Sequence, residues 1–116
     1  MSSIREYAYI GDAVWELFVR EENIKSELKS EMLHKKTTEH VNAKFQHDML
    51  RVIEDKLTAE EQEIERRGRN LSVPTGRRKI QSDYRQATAF EALIGYWYIE
   101  NKNRLEEFKE ILKKYL

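Results

Sequence analysis

Residues 9–19 read YIGDAVWELFV, and residues 87–98 read ATAFEALIGYWY. Each stretch sets one carboxylate among apolar neighbours: Asp12 beside Ile10, Gly11, Ala13 and Val14, and Glu91 beside Phe90, Ala92, Leu93 and Ile94. Around the first acid, Tyr7, Ile10, Val14, Leu17 and Phe18 recur at helical spacing, which predicts a helix from about Ile4 to Glu22. Around the second, Phe90, Leu93, Ile94 and Trp97 fall on one apolar stripe of a long helix that opens at Ser82 or Asp83. Glu91 then lies on a different face, shared with Ala87, Thr88 and Gly95, whose small side chains let another helix come close. Gly11 costs its helix about 1 kcal/mol relative to alanine, which predicts a packing reason for it.

Outward from these two segments the pattern stays helical and nothing reads as a strand. Ser30 is placed to cap a second segment containing Leu33, and a third helix runs through Val41, Phe45, Met49, Val52 and Ile53 towards Leu57. Thr58 with Glu61 three residues on is a capping-box pattern that opens TAEEQEIERRGRN. The four glycines and single proline leave one long loop, from about Gly68 to Ile80, and Asn101 to Asn103 breaks the chain before a short amphipathic helix, RLEEFKEILKKYL. The expected fold class is all-α, a single helical domain over residues 1–116, long enough to bury a core without staples.

Composition excludes several classes of function. The chain has no cysteine, so disulfides and thiolate metal sites are absent. Its first residues do not read as a signal peptide, and no apolar run is long enough to span a bilayer, so the expectation is a cytoplasmic protein with no membrane contact. The 21 basic and 21 acidic residues cancel, so any nucleic-acid binding requires local positive charge. That charge is present: the run Arg66, Arg67 and Arg69 enters the loop and continues after its centre with Arg77, Arg78 and Lys79, with Asn70 between them. Arginine suits phosphate oxygens geometrically, and Asn70 is a candidate for a sugar or base edge. The alternative is a solvated helix end, where cations are ordinary.

Two carboxylates on closely packed helices make an oxygen-ligand site suited to magnesium. They can also be two unrelated acids, each capping a helix or paired with a nearby cation, and spacing does not separate the two readings. Glu16 lies one turn after Asp12 and either joins it or pairs with Arg20 at helical spacing. His40 and His47 are spaced to share a helix face, but with His34 they match no common zinc pattern and read as surface or packed side chains. Trp97 and Tyr98 read as core or dimer-interface residues.

The segment YIGDAVWELFVR resembles the signature helix of the ribonuclease III family, and TAFEALIGYWYIE resembles that family's second metal-ligand helix, in the same order. EEQEIERRGRN and the Tyr84–Thr88–Phe90 context are similar to the Mini-ribonuclease III type, which has the catalytic domain and no double-stranded-RNA-binding domain. The resemblance implies a ribonuclease III-like endonuclease fold, with Asp12 and Glu91 as catalytic metal ligands for Mg2+. It implies hydrolysis of double-stranded RNA to 5′-phosphate and 3′-hydroxyl ends. It further implies a two-fold homodimer cutting one strand per subunit, and the stem of precursor large-subunit (23S) ribosomal RNA as substrate, with ribosomal-protein assistance possible. Ordinary family members carry a Glu four residues before the signature Asp and an Asp three residues before the second-helix Glu; here those positions are Ala8 and Thr88. That departure fits the Mini type, leaves the number of metal ions open, and keeps in play a non-catalytic RNA-binding scaffold. A helical homodimer acting as a protein adaptor is the third class, and the basic loop argues against it.

Overall fold

Ser3 starts the first helix by accepting a hydrogen bond from the Glu6 backbone N–H, while the Glu6 carboxylate accepts from the Ser3 N–H, a reciprocal capping box. The computed structural model describes residues 2–71 and 81–116, and all its regular elements are helical. They are α1 (Ile4–Ile24), α2 (Ser30–Val41), α3 (Ala43–Ile53), α4 (Ala59–Arg69), α5 (Gln81–Glu100) and α6 (Lys102–Leu112). Short 3-10 turns, Glu54–Lys56 and Lys113–Tyr115, follow α3 and α6. Among the described residues no helix is long and apolar enough to cross a membrane.

Local chemistry explains where the helices differ from the sequence reading. Ser30 is the first residue of α2 and not its cap, because the cap position is Lys29, whose side chain makes no capping bond. Val41 ends α2, since Asn42 caps α3 by accepting from the Phe45 N–H. The Thr58–Glu61 capping box opens α4 as the sequence predicts. Gly68 and Arg69, expected in the long loop, belong to the last turn of α4. Because α2 and α3 are separate helices, His40 and His47 do not share a face: His40 packs edge-on against Phe45, and His47 meets Asp83 at 2.8 Å.

α5 is the central element and packs against α1, α3, α4 and α6. Its residues Ala89, Phe90, Leu93 and Trp97 are fully buried, so the apolar stripe read from the sequence is the core. Trp15 from α1 meets Phe90 edge-to-face at 5.0 Å, and Trp97 stacks on Phe108 of α6 at 4.3 Å. Both indole N–H groups find acceptors, Trp15 in the His40 carbonyl and Trp97 in the Glu61 carboxylate. Glu61 is buried, and burial alone would raise its pKa; hydrogen bonds from Arg104, the Thr58 N–H and Trp97 outweigh that and hold it down at about 2.

Candidate active site

Gly11 and Gly95 shape the site by the side chains they lack. A Cβ on Gly11 would stand 1.7 Å from the Glu91 carbonyl oxygen, and one on Gly95 would stand 1.8 Å from that of Tyr7. Helices α1 and α5 therefore cross at a separation that a side chain on either glycine would prevent. The small-residue face expected of α5 is the face that α1 meets.

The crossing brings Asp12, adjacent to Gly11, beside Glu91, one turn before Gly95. Both carboxylates line a cavity of about 240 Å3. Asp12 is exposed and Glu91 partly buried. Burial pushes the Glu91 carboxyl up to about 8; the Asp12 carboxylate beside it acts in the same direction, and the Gln46 amide opposes them. Gln46, on α3 and itself buried, holds Nε2 3.5 Å from Glu91 Oε2. A cation beside Glu91 would favour its ionised form.

A family model described as "Ribonuclease III domain" matches residues 5–102. The Mini-ribonuclease 3 of Gloeobacter violaceus is 41% identical over 103 residues, covering 89% of this chain and 76% of that protein. The chain belongs to the ribonuclease III family, in its Mini branch. The Mini-ribonuclease 3 of Clostridium tetani is also similar, 41% identical over 109 residues, 90% of this chain and 72% of that one. A crystal structure of a Fusobacterium nucleatum protein has the same fold, with a TM-score of 0.84 at 31% identity over 97% of this chain and 92% of that one. As a member of this family the chain is an endoribonuclease of the double-stranded-RNA-cleaving class.

The two departures from ordinary ribonuclease III motifs fall in the site itself. Ala8 and Thr88 line the same cavity as Asp12 and Glu91, so the side chains they replace would have stood around the same space. The Thr88 hydroxyl donates to the Tyr84 carbonyl at 2.9 Å, one turn back on its own helix. Among the described residues no group of three or more His, Cys, Asp or Glu side chains could hold a metal. Two hard oxygen donors beside an open cavity fit a cation that keeps several of its waters, as magnesium does. They do not fit a structural zinc centre, which needs four protein ligands.

The remaining candidates separate. Glu16 pairs with Arg20 at 2.9 Å, the structural alternative. Arg66 is held by Glu63 at 2.6 Å, and Arg69 lies 3.7 Å from Glu65 and 3.4 Å from the Gln86 amide oxygen. Arg67 and Asn70 are exposed, and no salt bridge forms on Arg67 among the described residues. Arg77, Arg78 and Lys79 lie outside the described residues. Gln46 escaped the sequence reading, because a glutamine on an apolar helix face carries no local mark of a partner 45 residues away.

Proposed function

We propose that this chain is a magnesium-dependent endoribonuclease whose catalytic and metal-binding residues are Asp12 and Glu91. The observation that carries the reading is the convergence of these two carboxyls across the Gly11–Gly95 crossing, in a cavity open to solvent. Asp12 and Glu91 would hold Mg2+ through their oxygens; when bound, the ion polarises a phosphoryl oxygen and makes water a better nucleophile. The protein supplies the rest: glycine contacts that fix the helix crossing, and an amide from Gln46 that orients Glu91. The products carry 5′-phosphate and 3′-hydroxyl ends.

The substrate is a double-stranded RNA stem, that of precursor large-subunit ribosomal RNA, processed in the cytoplasm, where a ribosomal protein can assist. Recognition rests on A-form shape, phosphates and 2′-hydroxyls, with Arg66, Arg67, Arg69, Asn70, Arg77, Arg78 and Lys79 supplying contacts. The active species is a two-fold homodimer with one site and one cut strand per subunit. Large apolar side chains left exposed on α1 and α2, among them Tyr9, Leu17 and Met32, support that assembly.

The deciding experiment is incubation of purified protein with a long RNA duplex in Mg2+, with and without chelator. Magnesium-dependent production of 5′-phosphorylated fragments is expected. Duplex binding without cleavage would sink the enzymatic reading in favour of a scaffold.

A further inference from the structure

Arg5 occupies a place that a helix disfavours for a cation. It lies in the first turn of α1, where unpaired backbone N–H groups and the helix dipole already present positive charge. Its side chain is exposed, and no salt bridge joins it to a carboxylate among the described residues. Of the cavity that holds Asp12 and Glu91, Arg5 is the one cationic side chain among the described lining residues.

A second depression, of about 380 Å3, adjoins this cavity and is lined by Arg5, Arg66, Arg67, Asn70 and Leu71, among others. Arg5 and Leu71 line both spaces, so the two are neighbours that meet at these side chains, with the acids in one and Arg66 and Arg67 in the other. An RNA strand placed for cleavage must run its backbone past the two acids, and the phosphates on either side of the scissile one need cationic partners of their own. Arg5 stands at the rim of the acid cavity, and the second depression carries on from it to Arg67, which forms no salt bridge among the described residues. The other walls of the acid cavity, such as Tyr9, Tyr84 and Thr88, carry no positive charge.

We propose that Arg5 binds a backbone phosphate flanking the scissile one, linking the acid cavity to the Arg67–Asn70 surface as one strand path. The proposal rests on the double-stranded-RNA reading above and adds a contact to it. Arg5 is a substrate-binding residue here, touching the RNA backbone away from the bond that breaks.

The test measures binding of a fluorescent RNA duplex by anisotropy across a salt series, with EDTA present so that no cleavage occurs. Arg5→Ala, Arg5→Lys and Arg67→Ala are compared with wild type. Arg5→Ala is expected to weaken binding about tenfold and to flatten the slope of log affinity against log salt by about one contact. Arg5→Lys keeps the slope, because the charge remains, while losing part of the affinity. In Mg2+, Arg5→Ala raises KM and leaves kcat at saturating RNA nearly unchanged. Its melting temperature stays at or above wild type, because an unfavourable first-turn charge has gone. A wild-type slope and KM in Arg5→Ala, with Arg67→Ala reducing both slope and affinity, overturns the Arg5 contact alone. A lowered melting temperature with unchanged binding assigns Arg5 a structural role and overturns it too. Salt-insensitive or absent duplex binding by the wild-type protein overturns the RNA reading itself.

Discussion

Two glutamates on neighbouring helices meet opposite fates in this fold. Glu61, at the start of α4, is buried and surrounded by donors: Arg104 Nε at 2.8 Å and Nη2 at 2.9 Å, the Trp97 indole at 2.8 Å, and the backbone N–H of its capping partner Thr58. Glu91, on α5, is partly buried beside another carboxylate, with one amide 3.5 Å away. One acid sits at about 2 and the other at about 8. The difference is the number of positive or donating groups that the fold supplies. Around Glu61 the account is closed by the protein, and the residue ties α4, α5 and α6 together. Around Glu91 the described donor is one amide, and the proposed metal would supply the missing positive charge.

The sharpest way to break this contrast is Asp12→Asn. The substitution preserves shape and removes a carboxylate, so cleavage of a duplex in Mg2+ should fall by at least about a thousandfold, roughly 4 kcal/mol of transition-state stabilisation. The variant should fold with a metal-free melting temperature close to that of wild type, because asparagine keeps the shape and an oxygen acceptor beside Glu91. Cleavage by purified Asp12→Asn at the wild-type rate would remove the site. Glu61→Leu should behave in the reverse manner. The buried Trp97 N–H would lose its acceptor and Arg104 would keep only Glu107 and the Lys56 carbonyl among the described residues, a cost of roughly 1–3 kcal/mol, visible as a drop in melting temperature. An unchanged melting temperature would show that the Glu61 network is dispensable.

The two acids also tilt pH dependence in opposite directions. Glu61 is depressed in the folded state, so its stabilisation is present above the ordinary glutamate pKa near 4.5 and is lost as pH falls towards 2. That loss amounts to roughly 3 kcal/mol. Glu91 is raised, so the metal-free protein is most stable below about 4.5 with respect to this group and loses stability as pH climbs towards 8. Glu65 adds in the same direction, raised to about 7 by burial first and by Glu54 second. Thermal melts in EDTA from pH 6 to 8.5 should therefore decline, and Glu91→Gln should flatten part of that decline. Saturating Mg2+ should flatten it as well in wild type and not in Glu91→Gln. A wild-type alkaline limb that Glu91→Gln leaves unchanged would contradict the open account at Glu91.

Much of this was legible in the sequence where the signal is local. The Thr58–Glu61 box, the α5 stripe and the small face bearing Glu91 follow from spacing of a few residues, and the structure has each of them. Gly11 in an apolar helix pointed to a close approach, which is where α1 meets α5. Partnerships across the chain were not legible. Nothing near Glu61 in sequence announces Arg104, 43 residues on, and nothing near His47 announces Asp83, 36 residues on. The same limit applied to Arg69 in part: Glu65 is one turn back on its helix, but the Gln86 amide oxygen, 17 residues on, is not announced. Arg5 carried no motif and acquires interest only from the two depressions that meet at it.

Replacing Gly11 tests how finely the crossing must be set. Alanine there would place a Cβ against backbone atoms of Glu91, which cannot swing aside as a side chain tip can. The helices must separate, at a cost of roughly 1–3 kcal/mol, and Asp12 and Glu91 should move apart with them. Gly11→Ala is expected to lower both the melting temperature and the cleavage rate. A stable Gly11→Ala protein with full activity would mean that the two carboxyls do not depend on this contact.

The smallest effect should come from Gln46, and it tests whether Glu91 needs orienting as well as company. The amide is buried and close to one oxygen of Glu91. A group that orients a metal-binding side chain typically alters affinity by about 10–100-fold when lost; at 3.5 Å the lower end is expected here. Gln46→Leu fills a similar volume with an apolar side chain and removes the amide, so the buried face of α3 should stay packed. Calorimetric titration with Mg2+ should then show about tenfold weaker binding, and cleavage should need proportionately more Mg2+ while its maximal rate at saturating metal changes little. Gln46→Leu should melt no lower than wild type, since a buried polar group has gone. If Mg2+ affinity stays at the wild-type value, the amide merely fills space. Glu91 would then be held by its helix alone, and the contrast with the donor-rich Glu61 would be greater than the geometry implies.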